Sequence, residues 1–137
     1  MKPLEILLVE DNPGDILLTL ENLKDSKVFN AIHVVRDGPP ALDFLYRRGE
    51  YHDQPRPDLI LLDLQLPSMD GGELLARIRS DEQFCDIAVA IATSQPELLS
   101  ADTPPPDVFV EKPIGLAQLL KVVAAVDQLG LTLVRRP

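Results

Sequence analysis

Four short apolar runs in this sequence end in residues equipped for chemistry. Glu10-Asp11 follows the first, Asp63 the next, Thr93-Ser94 a third and Lys112-Pro113 the last. Three neighbouring carboxylates repel one another and cost desolvation energy unless a cation neutralises them. Oxygen donors without histidine or cysteine select a hard cation, Mg²⁺ or Mn²⁺, which keeps waters and combines readily with phosphate. A carboxylate facing such a metal is a nucleophile toward an activated phosphoryl group, and the product is an acyl phosphate. Charge on the transferring oxygens then needs the metal, a lysine and a hydroxyl donor. Asp63, Lys112 and Thr93 are the candidates for that set, with Glu10 and Asp11 completing the acidic site.

Each residue also has an ordinary reading. Glu10-Asp11 would serve as cap and first-turn charge for a following helix. Asp63 would cap a turn, Thr93 would end a strand, and Lys112 would be a solvated surface lysine. Taken singly these readings are the better bets; all four holding together at one rim is not.

The elements that must position these groups are visible in the hydrophobic pattern. Glu5–Val9, Leu59–Leu62 and Ala88–Ala92 are short continuous apolar runs, as strands covered on both faces require. Ile32–Val35 and Val108–Val110 are weaker versions. Helical spacing separates them: Ile16, Leu17, Leu20 and Leu23 after Pro13-Gly14-Asp15; Ala41, Leu42, Leu45 and Tyr46 after Pro39-Pro40; then Leu74, Leu75 and Ile78. Leu116, Leu119, Leu120, Val123 and Val126 mark a last helix, with Gly130 as its stop. Alternating strands and helices predict an α/β fold, a parallel sheet with helices on both faces. Ligands then sit beyond the carboxyl ends of the strands, where the candidate residues fall. Arg47–Pro57 is expected to be a surface loop. In Gln95–Asp107, Pro96 opens at most a short helix through Glu97–Ser100, because Pro104-Pro105-Pro106 forbids its continuation.

Composition narrows the function classes. The 137 residues are 45% hydrophobic and 26% charged, as expected for one soluble domain over residues 1–137. The net charge of −9 would repel phosphate backbones, which argues against a nucleic-acid partner. No run reaches the length of a membrane span, and acidic residues interrupt the N-terminal apolar stretch before a signal peptide could form; a cytoplasmic location is expected. Cys85 is the only cysteine, expected to be a small filler, and His33 and His52 have no ligand-like spacing.

The segments ILLVEDN (6–12), DLILLDLQLPSMDG (58–71), AIATS (90–94) and VFVEKP (108–113), in this order, resemble the receiver domains of two-component response regulators. FLYRRGEY and RPDLILLDLQLP look most like stand-alone receivers that serve phytochrome-type sensor kinases. The resemblance implies a flavodoxin-like, doubly wound five-stranded sheet in the order 2-1-3-4-5. Asp63 would be the phosphoacceptor. Asp11 and Asp63 would bind Mg²⁺ directly, with the backbone carbonyl of Gln65 as a further ligand and Glu10 acting through water. Lys112 would contact the phosphoryl oxygens, Thr93 would swing toward them, and Phe109 would take the switch-aromatic position; plain core packing of Phe109 is an equal alternative. Gln65 and Gln95 would tune phosphoryl lifetime. Pro67 and Gly71 would shape the site loop, and Lys112-Pro113 would be joined by a cis peptide. The partners implied are a sensor histidine kinase or a histidine phosphotransfer protein.

The sequence departs from that family in one region. A proline-rich stretch replaces the helix expected between the fourth and fifth strands, shortening the segment used for partner and dimer contacts. The Thr93–Phe109 relay and a homodimer are therefore left open. Beyond the last helix only Leu131–Pro137 remain, expected to fray, so no output domain is anticipated and signalling would run through protein contacts. Three rivals stand beside the signalling switch. A phosphorylation-independent scaffold would accept no phosphoryl group. A flavodoxin-like FMN carrier fits poorly, because the acidic turn EDNPGD lacks the glycines and amide donors of a phosphate loop. An aspartyl-phosphate phosphohydrolase would want a second carboxylate two residues after Asp63, where Gln65 stands.

Overall fold

The structure is a computed structural model that describes residues 2–26 and 28–128. Its five strands are β1 (Leu4–Val9), β2 (Asn30–Val35), β3 (Leu59–Leu62), β4 (Ala88–Thr93) and β5 (Val108–Glu111). Helices α1 (Pro13–Asp25), α2 (Gly38–Tyr46), α3 (Gly71–Ser80) and α4 (Leu116–Gln128) alternate with them. All pairings are parallel and the order is β2-β1-β3-β4-β5, the expected doubly wound arrangement.

Burial explains why the three central strands were the clearest in sequence. Every residue of β3 and β4 is buried, because helices cover both faces. On one face Ile6, Leu8, Leu59, Leu61, Ala90 and Val110 pack with Leu23 of α1 and Leu119 and Val122 of α4. On the other, Leu7, Val9, Ile60, Leu62, Val89 and Ile91 meet Phe44 and Leu45 of α2 and Leu74, Leu75 and Ile78 of α3. Each large side chain so buried contributes about 1.5–3 kcal/mol. Strand β2 lies on an edge, and only Val35 in it is buried.

The turns start the helices with ordinary caps. Asn12 Oδ1 accepts from the N–H of Asp15 at 3.1 Å, with proline at the start of α1. Asp70 Oδ1 accepts from the N–H of Glu73 at 2.8 Å and caps α3. Helix α2 ends at Arg47, which takes a left-handed φ of 58°. Gly71 admits no side chain: a Cβ there would lie 2.2 Å from the carbonyl oxygen of Asp63 and 2.8 Å from Leu64 Cα.

Several expectations need correction. In α1 the inward face runs through Ile16, Thr19 and Leu23, while Leu17 is 60% exposed. The step of three and four residues from Ile16 skips Leu17. In α4 Leu119 and Val122 face the core, and Leu116 and Leu120 are exposed; the apolar residues there cover more than one face. Phe44, absent from the sequence reading of α2, is buried, whereas Tyr46 stays accessible and donates to Asp81. Cys85 is exposed rather than filling a gap. The side chains of Val123 and Val126, Gly130 and the tail lie outside the described residues.

Between β4 and β5 no α-helix forms. A single 3₁₀ turn, Pro96–Leu98, is followed by irregular chain through the prolines. Its far end is fastened by Asp107, whose Oδ2 accepts from Val89 N–H and from Arg79 Nη2, both at 2.8 Å. A second 3₁₀ turn, Gly49–Tyr51, lies inside the expected loop before β3. The Lys112-Pro113 peptide is cis.

Candidate functional site

The carboxyl ends of β1, β3, β4 and β5 bring the candidate residues to one edge of the sheet. Backbone bonds join neighbouring strand ends there: Asp63 N–H to Val9 O at 3.1 Å, and Lys112 N–H to Thr93 O at 2.9 Å. A cavity of about 430 Å³ opens above them, lined by Glu10, Asp11, Asp15, Arg36, Asp63, Gln65, Ser94 and Lys112 among others.

Lys112 is the centre of the charge arrangement. Its Nζ lies 2.6 Å from Glu10 Oε2, 2.8 Å from Asp15 Oδ2 and 3.4 Å from Asp63 Oδ2. Burial by itself would lower the lysine's pKa. The bonds to Asp15 and Glu10 and the charge of Asp63 outweigh it, and the ammonium titrates above its ordinary value. Glu10 is 3% exposed, and burial raises its pKa; the bonds from Lys112 and from Asn12 N–H oppose that rise. Asp63 is also nearly buried, at 7%. Asp11, by contrast, is half-exposed, and Arg36 Nε stands 3.6 Å from its carboxylate.

These donors fit a hard cation. Among the described residues no group of three acidic, histidine or cysteine side chains forms a ready-made metal cage. Mg²⁺ needs none: it binds through one or two carboxylates and keeps several waters. Asp11 and Asp63 line one open cavity with Gln65 beside them, an all-oxygen set of that kind.

The remaining candidates are placed as follows. Thr93 is buried at 1% exposure, and its Oγ1 accepts from the N–H of Gln95 at 3.0 Å; Ser94, not Thr93, lines the cavity. Gln65 Nε2 donates to Gln95 Oε1 at 2.9 Å, tying the β3 end to the segment after β4. Phe109 is partly buried against the core on the α2–α3 face, in register with Ile91. The loop between β3 and α3 is anchored by Asp37, which accepts from Ser68 Oγ at 2.6 Å and from Ser68 N–H at 3.2 Å.

Asp15 and Arg36 were missed in the sequence reading. Arg36 directly follows β2, so the rule that sends ligands to strand carboxyl ends would have found it had it been applied to the weak second strand. Asp15 sits in the first turn of α1, three residues after the capping Asn12, and no local pattern in the sequence pairs it with Lys112.

A five-stranded parallel sheet with this edge defines a class. The family model of the response regulator receiver domain matches residues 6–124, and the chain belongs to that family of two-component signalling proteins. It is 36% identical to Response regulator Rcp1 of Synechocystis sp., over 98% of this chain and 94% of that protein. It resembles the solved structure of the bacteriophytochrome response regulator RtBRR with a TM-score of 0.80 and 37% identity, covering 96% of this chain and 80% of that one. The phosphorylated cyanobacterial phytochrome response regulator RcpA gives 0.77 and 37%, over 96% and 99% of the two chains. The Mn²⁺-bound form of Rcp1 gives 0.74 and 36%, over 98% and 99%. No described helix is long and apolar enough to cross a membrane.

Proposed function

We propose that this chain is a phosphorylation-dependent switch in which Asp63 accepts a phosphoryl group from a histidine kinase or a histidine phosphotransfer protein. One observation carries the reading: a nearly buried carboxylate lies at an open cavity with a lysine ammonium 3.4 Å away. An Asp63 oxygen forms the new bond to phosphorus, and the phosphorus–nitrogen bond of the donor phosphohistidine breaks, leaving a neutral imidazole after protonation. Lys112 stabilises the charge on the phosphoryl oxygens. Asp11, Asp63 and the Gln65 carbonyl would hold Mg²⁺, with Glu10 acting through water; Mg²⁺, or Mn²⁺, supplies charge neutralisation when bound. That a related structure contains Mn²⁺ and another is phosphorylated supports both parts.

Thr93 is the proposed reporter of phosphorylation: its Oγ1 accepts from Gln95 N–H, and its own O–H is the donor it would offer to a phosphoryl oxygen. Phe109, packed against the same core as Leu99 of the irregular segment, is the proposed relay. The resemblance to phytochrome response regulators points to a photoreceptor kinase as donor. The signal would leave residues 1–137, acting as one receiver domain in the cytoplasm, through contacts with other proteins.

The test is incubation with Mg²⁺ and acetyl phosphate followed by intact mass. The parent is expected to gain one phosphoryl group and Asp63→Asn none; an equal adduct on the variant would overturn the assignment. A parent that binds Mg²⁺ but is never labelled would favour the scaffold reading. Steady turnover of simple phosphate monoesters would favour the phosphohydrolase.

A further inference from the structure

The two shortest contacts of the Lys112 ammonium go to Glu10 and Asp15, and the proposed acceptor Asp63 has only the long third contact. Two readings of Asp15 compete. The bland one is a first-turn acidic residue whose charge complements the α1 dipole, worth about 0.3–1 kcal/mol. It accounts for the residue's place in the helix but not for the direction of its side chain, which bonds Lys112, just past the end of β5 and 97 positions away.

We propose that Asp15 is a positioning residue that holds Lys112 off Asp63 in the resting state and competes with the phosphoryl group for it. Glu10 cannot play this part alone: it is buried at the strand end and keeps its bond from Asn12 N–H. Asp15 is a third exposed in its side chain, so water can take over its carboxylate when the lysine leaves. Phosphorylation brings nearly two negative charges to Asp63 in place of one, and the ammonium shifts toward them. The bond to Asp15 is what must be given up. Asp15 thereby sets how strongly the phosphorylated state is disfavoured before any partner binds.

This inference rests on the phosphoacceptor reading of Asp63, and the experiment separates the two. Trifluoroberyllate adds to a carboxylate as a phosphoryl mimic. With Mg²⁺ present, its affinity is measured by fluorine NMR for the parent, Asp15→Asn, Asp15→Ala and Asp15→Glu, beside acetyl phosphate labelling of each. Asp15→Asn and Asp15→Ala are expected to bind the mimic roughly three- to tenfold more tightly and to be labelled to a higher steady level, the strength of one partly exposed charged bond. Asp15→Glu, which keeps the charge, is expected to return toward the parent. A helix-dipole role predicts lower melting temperatures and no gain in affinity, so unchanged or weaker binding in Asp15→Asn and Asp15→Ala overturns the proposal. A tenfold loss of Mn²⁺ affinity in Asp15→Asn with no gain in mimic binding would make Asp15 a metal ligand and also overturn it. If the parent itself takes neither label nor mimic, the phosphoacceptor reading fails and this one with it.

Discussion

At the scale of single residues, the site is a competition among carboxylates for one buried ammonium. Glu10, Asp15 and Asp63 surround Lys112 at unequal distances, and those inequalities set what the lysine is free to do. Gln65, which lines the cavity, holds Gln95 through one side-chain bond. If Asp63 carries a phosphoryl group as proposed, Gln65 lines the cavity through which a water would reach it. Replacing Gln65 with alanine is expected to change the rate of phosphoryl loss several-fold, or roughly 1 kcal/mol in the barrier. If the pair acts as a unit, Gln65→Ala and Gln95→Ala will not be additive, and the double variant will decay at about the rate of either single one. Decay of the labelled protein, followed by intact mass, reads this directly; additive effects would show that the two amides act separately.

At the scale of elements, the turn before α2 does two jobs. Asp37 caps α2 through Gly38 N–H at 2.7 Å and also receives Ser68, so that one carboxylate ties the β2 end to the loop that carries Pro67 and leads into Gly71. Desolvation alone would raise its pKa, but the bonds from Ser68 Oγ, Gly38 N–H and Ser68 N–H prevail and hold it below the ordinary value. A carboxylate depressed in the folded state stabilises the protein above its unfolded pKa and loses that contribution as pH falls through its folded pKa. Asp37→Ala is accordingly expected to cost about 1 kcal/mol at pH 7 in a urea titration. The variant should lose less stability than the parent on acidification below about pH 4. Parallel acid limbs for the two proteins would show that the Ser68 bonds do not depend on the charge.

For the whole molecule, a net charge of −9 and an acidic edge both oppose compaction, and the proposed cation would relieve the second. Adding Mg²⁺ is expected to raise the melting temperature beyond KCl of equal ionic strength, the added stability being about 1.4 kcal/mol for each tenfold excess over its dissociation constant. Asp11→Asn should abolish most of that increment while leaving the KCl response intact. Equal shifts in the two salts would reduce the effect to general screening.

The sequence by itself determined the sheet and the rim. Strands covered on both faces must be continuous apolar runs, and ligand groups must follow them at their carboxyl ends, so β1, β3, β4, Glu10, Asp11, Asp63, Thr93 and Lys112 were legible from local pattern. Strand β2 was weak because an edge strand buries little, and Arg36 at its end was lost with it. Only the tertiary structure decided which apolar side of α1 and α4 turns inward, since Leu17, Leu116 and Leu120 are as hydrophobic as the residues that are buried. Only it decided, too, that Lys112 bonds Glu10 and Asp15 more closely than Asp63. Composition names the charges at an edge, but their pairing depends on distances between residues nearly a hundred positions apart, which no local pattern encodes.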